Sequence, residues 1–362
     1  MNMATLALTD QFQAQAREAW DKSIVEEVYM AVPLLNVLME RKVQEVLDPG
    51  TAFKTTARVA TIQNLGSDYG VNTALAGGQA TTLTTLLWYP KDHQIPLEVP
   101  TQIVDRAKGG GVSILHDPKE VLISEGQESM KLWFNAMLWG EASPTLATLT
   151  AADGVQGIAW QGLQHALYMD GSGNGATYGG AARTATSNAL LLGGSLNGAY
   201  TDQNTAFSPT IDNTRAMFQC ITRRTKNRNP KDVVAFWGDV NWRYLRSQVE
   251  QSTSFKAGNR MQYGIQSFSI DDVEHFADPY LVADTTIHPA GDGATFAAMG
   301  AMLNLNDVHL KINPTNKFGS MLPWTDLRGI PGCKPVYFSR ALLTGAFFIE
   351  KPNGSILKTN VA

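Results

Sequence analysis

Leu65 to Gln79 reads Leu-Gly-Ser-Asp-Tyr-Gly-Val-Asn-Thr-Ala-Leu-Ala-Gly-Gly-Gln, with four glycines and a single charge, Asp68. A segment of this kind carries too little apolar side-chain surface to offset its own conformational entropy. It lies between two strand-like runs, Thr51 to Ala60 and Thr81 to Val99, that are rich in Thr, Val, Leu and aromatic residues. So long a connection inside a compact domain is unusual. The pattern predicts a projecting hairpin over 50–99 whose middle is ordered by contacts made outside itself.

Upstream, Phe12, Ala16, Trp20, Ile24 and Val28 recur every four residues after Asp10, a residue suited to an N-cap. The stripe serves either the chain's own core or the surface of a neighbour. Tyr29 to Met39 is the most apolar stretch, but Pro33 and Asn36 interrupt it. It falls short of the roughly 20 residues that a membrane-spanning helix needs and reads as a core or interface segment.

Downstream, Asp117-Pro118-Lys119-Glu120 supplies an N-cap, a proline at the first helical position and a carboxylate three residues after the cap. Met130, Trp133, Phe134, Met137 and Leu138 then repeat at helical spacing until Gly140. This predicts a helix of about 23 residues, or roughly 35 Å. Gly126 inside it costs about 1 kcal/mol relative to Ala and requires a packing reason.

Residues 143–210 are dominated by Gly, Ala, Ser, Thr and Asn and read as turn-rich. A helix capped by Asp212 runs to about Arg224, a buried strand covers Val233 to Trp237, and a second helix runs from about Val240 to Val249. Together these make an α/β unit. Short strands follow, ending in Val336 to Glu350 and Ile356 to Lys358.

Hydrophobic residues make up 44% of the chain and charged ones only 17%, so part of the surface is expected to meet other protein. Lys and Arg total 29 against 33 for Asp and Glu, and a net charge of −4 gives no general attraction to nucleic acid. Cys220 and Cys333 fit neither a disulfide framework nor a zinc set and read as two buried thiols. The start, Met1 to Leu6, lacks a basic n-region and a long apolar run, so no export is expected and a reducing cytoplasm fits.

No motif supports catalysis. Gly171-Ser172-Gly173-Asn174-Gly175 has no strand leading into it, and Asn197 stands where a nucleophile elbow around Ser195 needs glycine. Asp271-Asp272-Val273-Glu274-His275-Phe276-Ala277-Asp278 packs four carboxylates and an imidazole into eight residues. That is either a hard-cation site or a surface strand and turn, and the alternation with apolar residues fits the second. The six histidines show no paired metal spacing. Arg223, Arg224, Lys226, Arg228 and Lys231 place five cations in nine residues at a helix end. A solvated helix terminus, a nucleic-acid contact and a contact with acidic loops of a partner all remain open there.

Read in order, these segments resemble the tailed-bacteriophage major capsid proteins of the Hong Kong 97 type. Asn229 to Leu245, Met261-Gln262-Tyr263-Gly264-Ile265 and Val273 to Pro279 are similar to that family's axial domain, and Tyr178-Gly179-Gly180-Ala181-Ala182-Arg183-Thr184 resembles an element after its long helix. The resemblance implies an α+β fold with an N-terminal arm and entry to the peripheral domain (1–49), an E-loop hairpin (50–100) and a spine-helix region (101–149). An axial domain (150–300) and closing strands (301–362) complete it. It implies a virion protein, made in the host bacterial cytoplasm, that self-assembles into pentamers and hexamers of an icosahedral head enclosing double-stranded DNA. No catalytic residue, cofactor, metal or membrane is expected. The chain shows no built-in scaffolding segment, so a separate scaffolding protein is implied, with a portal, a decoration protein and weak non-specific DNA contact as further partners. Phe12, Trp20, Lys54, Arg58, Asp68, Tyr69, Arg223, Arg224, Lys226 and Arg228 are the candidate intersubunit contacts. An encapsulin-like compartment shell is the alternative within the same fold, and a metal-dependent enzyme around Asp271, Glu274 and His275 is a remote one.

Overall fold

The computed structural model describes residues 33–45, 53–58, 83–109, 118–139, 160, 162–167, 177–179, 181–182, 208–225, 229–250, 256–257, 267–282, 297–313, 315–316 and 320–358. The expected arm with Phe12 and Trp20, the segment with Asp68 and Tyr69, and Lys226 and Arg228 lie outside the described residues.

The first elements are α1 (Pro33–Lys42), β1 (Val43–Glu45), β2 (Phe53–Arg58), β3 (Leu83–Trp88), β4 (Lys91–Pro100), α2 (Thr101–Gly109) and α3 (Pro118–Trp139). Next come α4 (Leu163–Ala166), β5 (Thr177–Tyr178), β6 (Ala181–Ala182), α5 (Ile211–Thr225), β7 (Val233–Trp237) and α6 (Asp239–Glu250). The chain continues with β8 (Lys256–Ala257), β9 (Ser267–Ile270), β10 (Val273–Ala277), β11 (Gly300–Asn304) and β12 (Val308–Ile312). It closes with β13 (Ser320–Met321), β14 (Thr325–Asp326), β15 (Val336–Ile349) and β16 (Ile356–Lys358).

Two compact units share these elements, one built from Asp92–Trp133 and Asn313–Thr344, the other from Met30–Lys91, Phe134–Ile312 and Gly345–Ala362. In the first, β13 and β14 pair antiparallel with the early part of β15. Thr101 ties the start of α2 to Pro335 through its amide and its hydroxyl. A Cβ at Gly126 would stand 3.0 Å from Leu97 Cδ1, so the helical glycine is the gap that lets β4 close on α3. Packing there offsets the helix cost of glycine.

The second unit is organised by a six-stranded sheet in the order β16-β11-β7-β10-β9-β8. β7 and β10 run parallel, and the other pairs are antiparallel. All five residues of β7 are buried because both of its faces are covered. Val233, Ala235 and Trp237 pack with Met217 and Ile221 of α5 and with Trp242, Leu245 and Val249 of α6. On the opposite face Phe236 meets Trp139, the last residue of α3, edge to face at 6.3 Å. Each such fully buried side chain contributes about 1.5–3 kcal/mol of transfer free energy.

Several expectations are corrected. Pro33 opens α1 and does not interrupt it, and Leu34, Leu35, Val37 and Leu38 are its buried residues. The strand expected over 81–99 breaks at Tyr89-Pro90 into β3 and β4. Thr210 accepts from the Asn213 amide and caps α5, while Asp212 sits in its first turn. Asp271 to Asp278 is not a surface strand: Val273, His275 and Phe276 are interior, because β10 lies between β7 and β9. Cys333 is exposed and Cys220 half-buried, so the two thiols are not both interior.

Candidate functional site

The hairpin predicted from composition is present at its base, where β2 and β3 pair antiparallel from Phe53↔Trp88 to Arg58↔Leu83. Leu83 is 57% exposed, and Lys54 and Thr56 point to solvent. A two-stranded ribbon is marginal on its own. What holds this one is the buried end of β3. Trp88 stacks on Phe348 with ring centres 4.1 Å apart and meets Tyr178 edge to face at 5.8 Å. The Leu87 amide donates to the Gly179 carbonyl at 2.9 Å. Gly179 takes a left-handed φ of 55°, which turns β5 into β6 beneath Leu86 and Trp88. Tyr178 completes the clamp, since its hydroxyl donates to the Ile349 carbonyl at 2.9 Å and accepts from the Ile349 amide at 2.7 Å. The sequence signal for this anchor was the Tyr-Gly-Gly turn. Its partners, more than 80 residues away on one side and about 170 on the other, were not legible.

Of the basic run, Arg223 is exposed at the end of α5. Arg224 is half-buried, its Nη1 donates to the Asn353 carbonyl at 3.4 Å, and burial lowers its pKa. Asn229 caps the following turn by accepting from the Lys231 amide. Helix termination thus engages part of the run, with Arg223 left on the surface.

The acidic cluster is dispersed. Asp271 and Asp272 take positive φ values of 50° and 64° and form the β9–β10 turn, as two-residue hairpin turns require. Asp271 accepts from Arg215 Nε at 2.7 Å and Nη2 at 3.2 Å. His275 faces inward, where its Nδ1 accepts from Trp237 Nε1 at 2.9 Å and burial drives its pKa down to about 3. Asp278 is buried as well and accepts from Trp139 Nε1 at 2.8 Å and the Tyr280 amide at 3.0 Å. Burial pushes its carboxyl up to about 7. Among the described residues no group of three or more His, Cys, Asp or Glu side chains is placed to hold a metal ion, and no helix is long and apolar enough to cross a membrane. The geometry divides the cluster between a turn, a salt bridge and a core.

No protein-family model matches the chain, and no curated protein matches its sequence. Its structure aligns with the capsid asymmetric unit of cyanophage A-1(L) at a TM-score of 0.58 and 16% identity, covering 94% of this chain and 96% of the other. The chain has a capsid-shell fold. The holo-SrpI encapsulin complex from Synechococcus elongatus PCC 7942 contains the same shell fold, at a TM-score of 0.52 and 11% identity, over 96% of this chain and 94% of the other. In both alignments the shell fold extends over nearly the full chain.

Proposed function

We propose that this chain is a major capsid protein that self-assembles into pentamers and hexamers of an icosahedral phage head enclosing double-stranded DNA. The observation that carries the reading is the extent of the likeness to a phage capsid subunit, which runs almost end to end in both chains. The chain works through its surfaces and not by catalysis. A subunit held by several neighbours gains from effective concentration, so each contact is modest.

In this reading the β2–β3 ribbon is the base of an E-loop over 50–100 and α3 is the spine helix of the 101–149 region. An arm over 1–49, an axial domain over 150–300 and closing strands over 301–362 complete the subunit. Lys54, Arg58, Asp68 and Tyr69 of the hairpin and Phe12 and Trp20 of the arm contact adjacent copies. A separate scaffolding protein, a portal and a decoration protein are its other partners in the head, with DNA touched weakly and without sequence preference.

Arg223, Arg224, Lys226 and Arg228 are assigned to intersubunit charge pairing. Replacing Arg223, Arg224 and Lys226 together with Ser is expected to impair capsomer formation in the absence of DNA. Normal empty shells with poor genome retention would assign the run to DNA instead.

An encapsulin-like compartment is the second reading, favoured by the full-length likeness to the encapsulin subunit. Particle content tests the two. Purified particles holding this chain, nuclease-protected double-stranded DNA and portal copies support the phage head. Particles filled with protein cargo and free of DNA transfer the assignment to the compartment.

A further inference from the structure

Among the described residues, Trp139, Tyr280 and Asn135 reach the buried Asp278 carboxyl of the second unit. Trp139 Nε1 donates to Oδ2 at 2.8 Å and the Tyr280 amide to Oδ1 at 3.0 Å. Asn135 lies one turn before Trp139 on the same face of α3. Its carboxamide stands beside the carboxyl and favours the charged form, yet neither Nδ2 nor Oδ1 closes a hydrogen bond of normal length and angle. Asn135 is fully buried, and a donor and an acceptor left open in a core are costly unless they have a use.

The titratable and charged groups on the described elements around Asp278 are Lys131 on α3, Tyr280 in the same turn, Glu274 and His275 on β10, and Asp239 and Arg243 on α6. His275 is bonded to Trp237, and Asp239 accepts from Arg243 Nε at 2.9 Å. None of them sets the state of Asp278: burial raises it to about 7, against the two donors of α3. Near neutral pH the group is therefore present both as acid and as carboxylate, and its surroundings must suit both. The two forms ask for opposite partners, because a carboxylate only accepts while the neutral acid also has an O–H to donate. Trp139 Nε1 and the Tyr280 amide can only donate, whereas a carboxamide donates at one end and accepts at the other in nearly the same shape.

We propose that Asn135 is a proton-following latch at the end of α3, its amide donating from Nδ2 to the Asp278 carboxylate and turning over to accept at Oδ1 from the neutral acid. The proton comes from solvent and returns to it. The last turn of α3 stays tied to the end of β10 in both states, and the two arrangements differ by half a turn of one side-chain amide. Asn135 acts through Asp278 and is a positioning residue. The latch goes beyond the shell reading and does not depend on it.

Nuclear magnetic resonance of the full-length wild-type chain, labelled with nitrogen-15 at asparagine and tryptophan and followed in solution or as particles, tests this directly. On titration the Asn135 carboxamide and the Trp139 indole N–H are expected to shift together, with one shared midpoint near neutral pH. A purely structural role for Asn135 would leave its carboxamide unmoved. In Asp278→Asn, which has no proton to exchange, both shifts are expected to disappear. A Trp139 indole that titrates while the Asn135 carboxamide stays still overturns the latch, and so does the absence of any titration near neutral pH. Shifts that persist in Asp278→Asn overturn it as well, by assigning the proton to another group. Should that variant fail to fold, the wild-type titration decides alone. All of these results leave the shell reading untouched, since none depends on assembly.

Discussion

The Trp237 indole donates to His275 Nδ1 at 2.9 Å between the neighbouring parallel strands β7 and β10. The neutral ring therefore carries its proton on Nε2. It lies nearly parallel to Phe268 at 5.4 Å, and Phe268 stacks in turn on Trp242 at 4.5 Å. This chain of rings joins β7, β10, β9 and α6, and protonating His275 would place an unpaired charge inside it.

A pH dependence follows. Burial holds His275 down to about 3, from an ordinary 6.5. The stability this residue contributes is complete above pH 6.5 and is lost as pH falls toward 3, at about 1.4 kcal/mol per unit. Asp278, pushed from 3.8 up to about 7, works in the other direction: its stability is complete below about pH 4 and is lost as pH rises toward 7. Between about pH 4 and 6.5 the two slopes cancel. Relative to wild type, His275→Gln is expected to gain stability on acidification through that window and Asp278→Asn to lose it, each on top of a pH-independent offset. Urea midpoints at pH 4, 5 and 6.5 measure this, and variants that track wild type in slope would refute it.

Gly300 pairs directly with Trp237 across β11 and β7, and a Cβ there would come within 2.4 Å of the indole Cε3. Gly300→Ala is expected to cost about 1–3 kcal/mol by overpacking and to disturb the bond to His275. Thermal melting followed by near-ultraviolet dichroism should show the lowered midpoint together with a changed aromatic signal. An unaltered spectrum and midpoint would mean that the ring has another place to go.

Adjacent aromatics on α3 differ in consequence. Phe134 is fully buried and meets Trp160 edge to face at 5.3 Å, so Phe134→Ala is expected to cost about 3–5 kcal/mol. Trp133 is only half-buried and stacks on His93, with ring centres 3.3 Å apart. Trp133→Ala is expected to cost less, since the site opens to water and leaves no sealed cavity. Chemical denaturation ranks the two, and an equal or reversed order would contradict this placement.

The legible parts were those where a local rule has one outcome. Pro118 opens α3 as a first-turn proline should, the uninterrupted Val233 to Trp237 run marked a strand covered on both faces, and the strand-like runs on either side of the glycine-rich stretch gave an antiparallel ribbon. What stayed hidden depended on partners distant in the chain. His275 reads as part of a surface strand until β7 and β9 enclose it, and Asp278 reads as a surface charge until Trp139 closes over it. Val240 and Tyr244 look like core positions of a helix, and only the direction of α6 on the sheet turns them outward.

Deleting 65–79 tests the hairpin, whose base is anchored by Trp88 against Tyr178 and Phe348. The shortened chain is expected to stay folded, with wild-type far-ultraviolet dichroism and a melting midpoint close to wild type, and to form no particles. Normal particles from it would remove the hairpin from assembly.

Assembly itself is tested most directly by expressing the full-length chain alone and examining it by electron microscopy and sedimentation across a wide concentration range. Closed shells, tubes or free five- and six-membered rings that grow with concentration are the predicted result. A chain that stays monomeric at every concentration, and also when its scaffolding partner is supplied, would contradict the account.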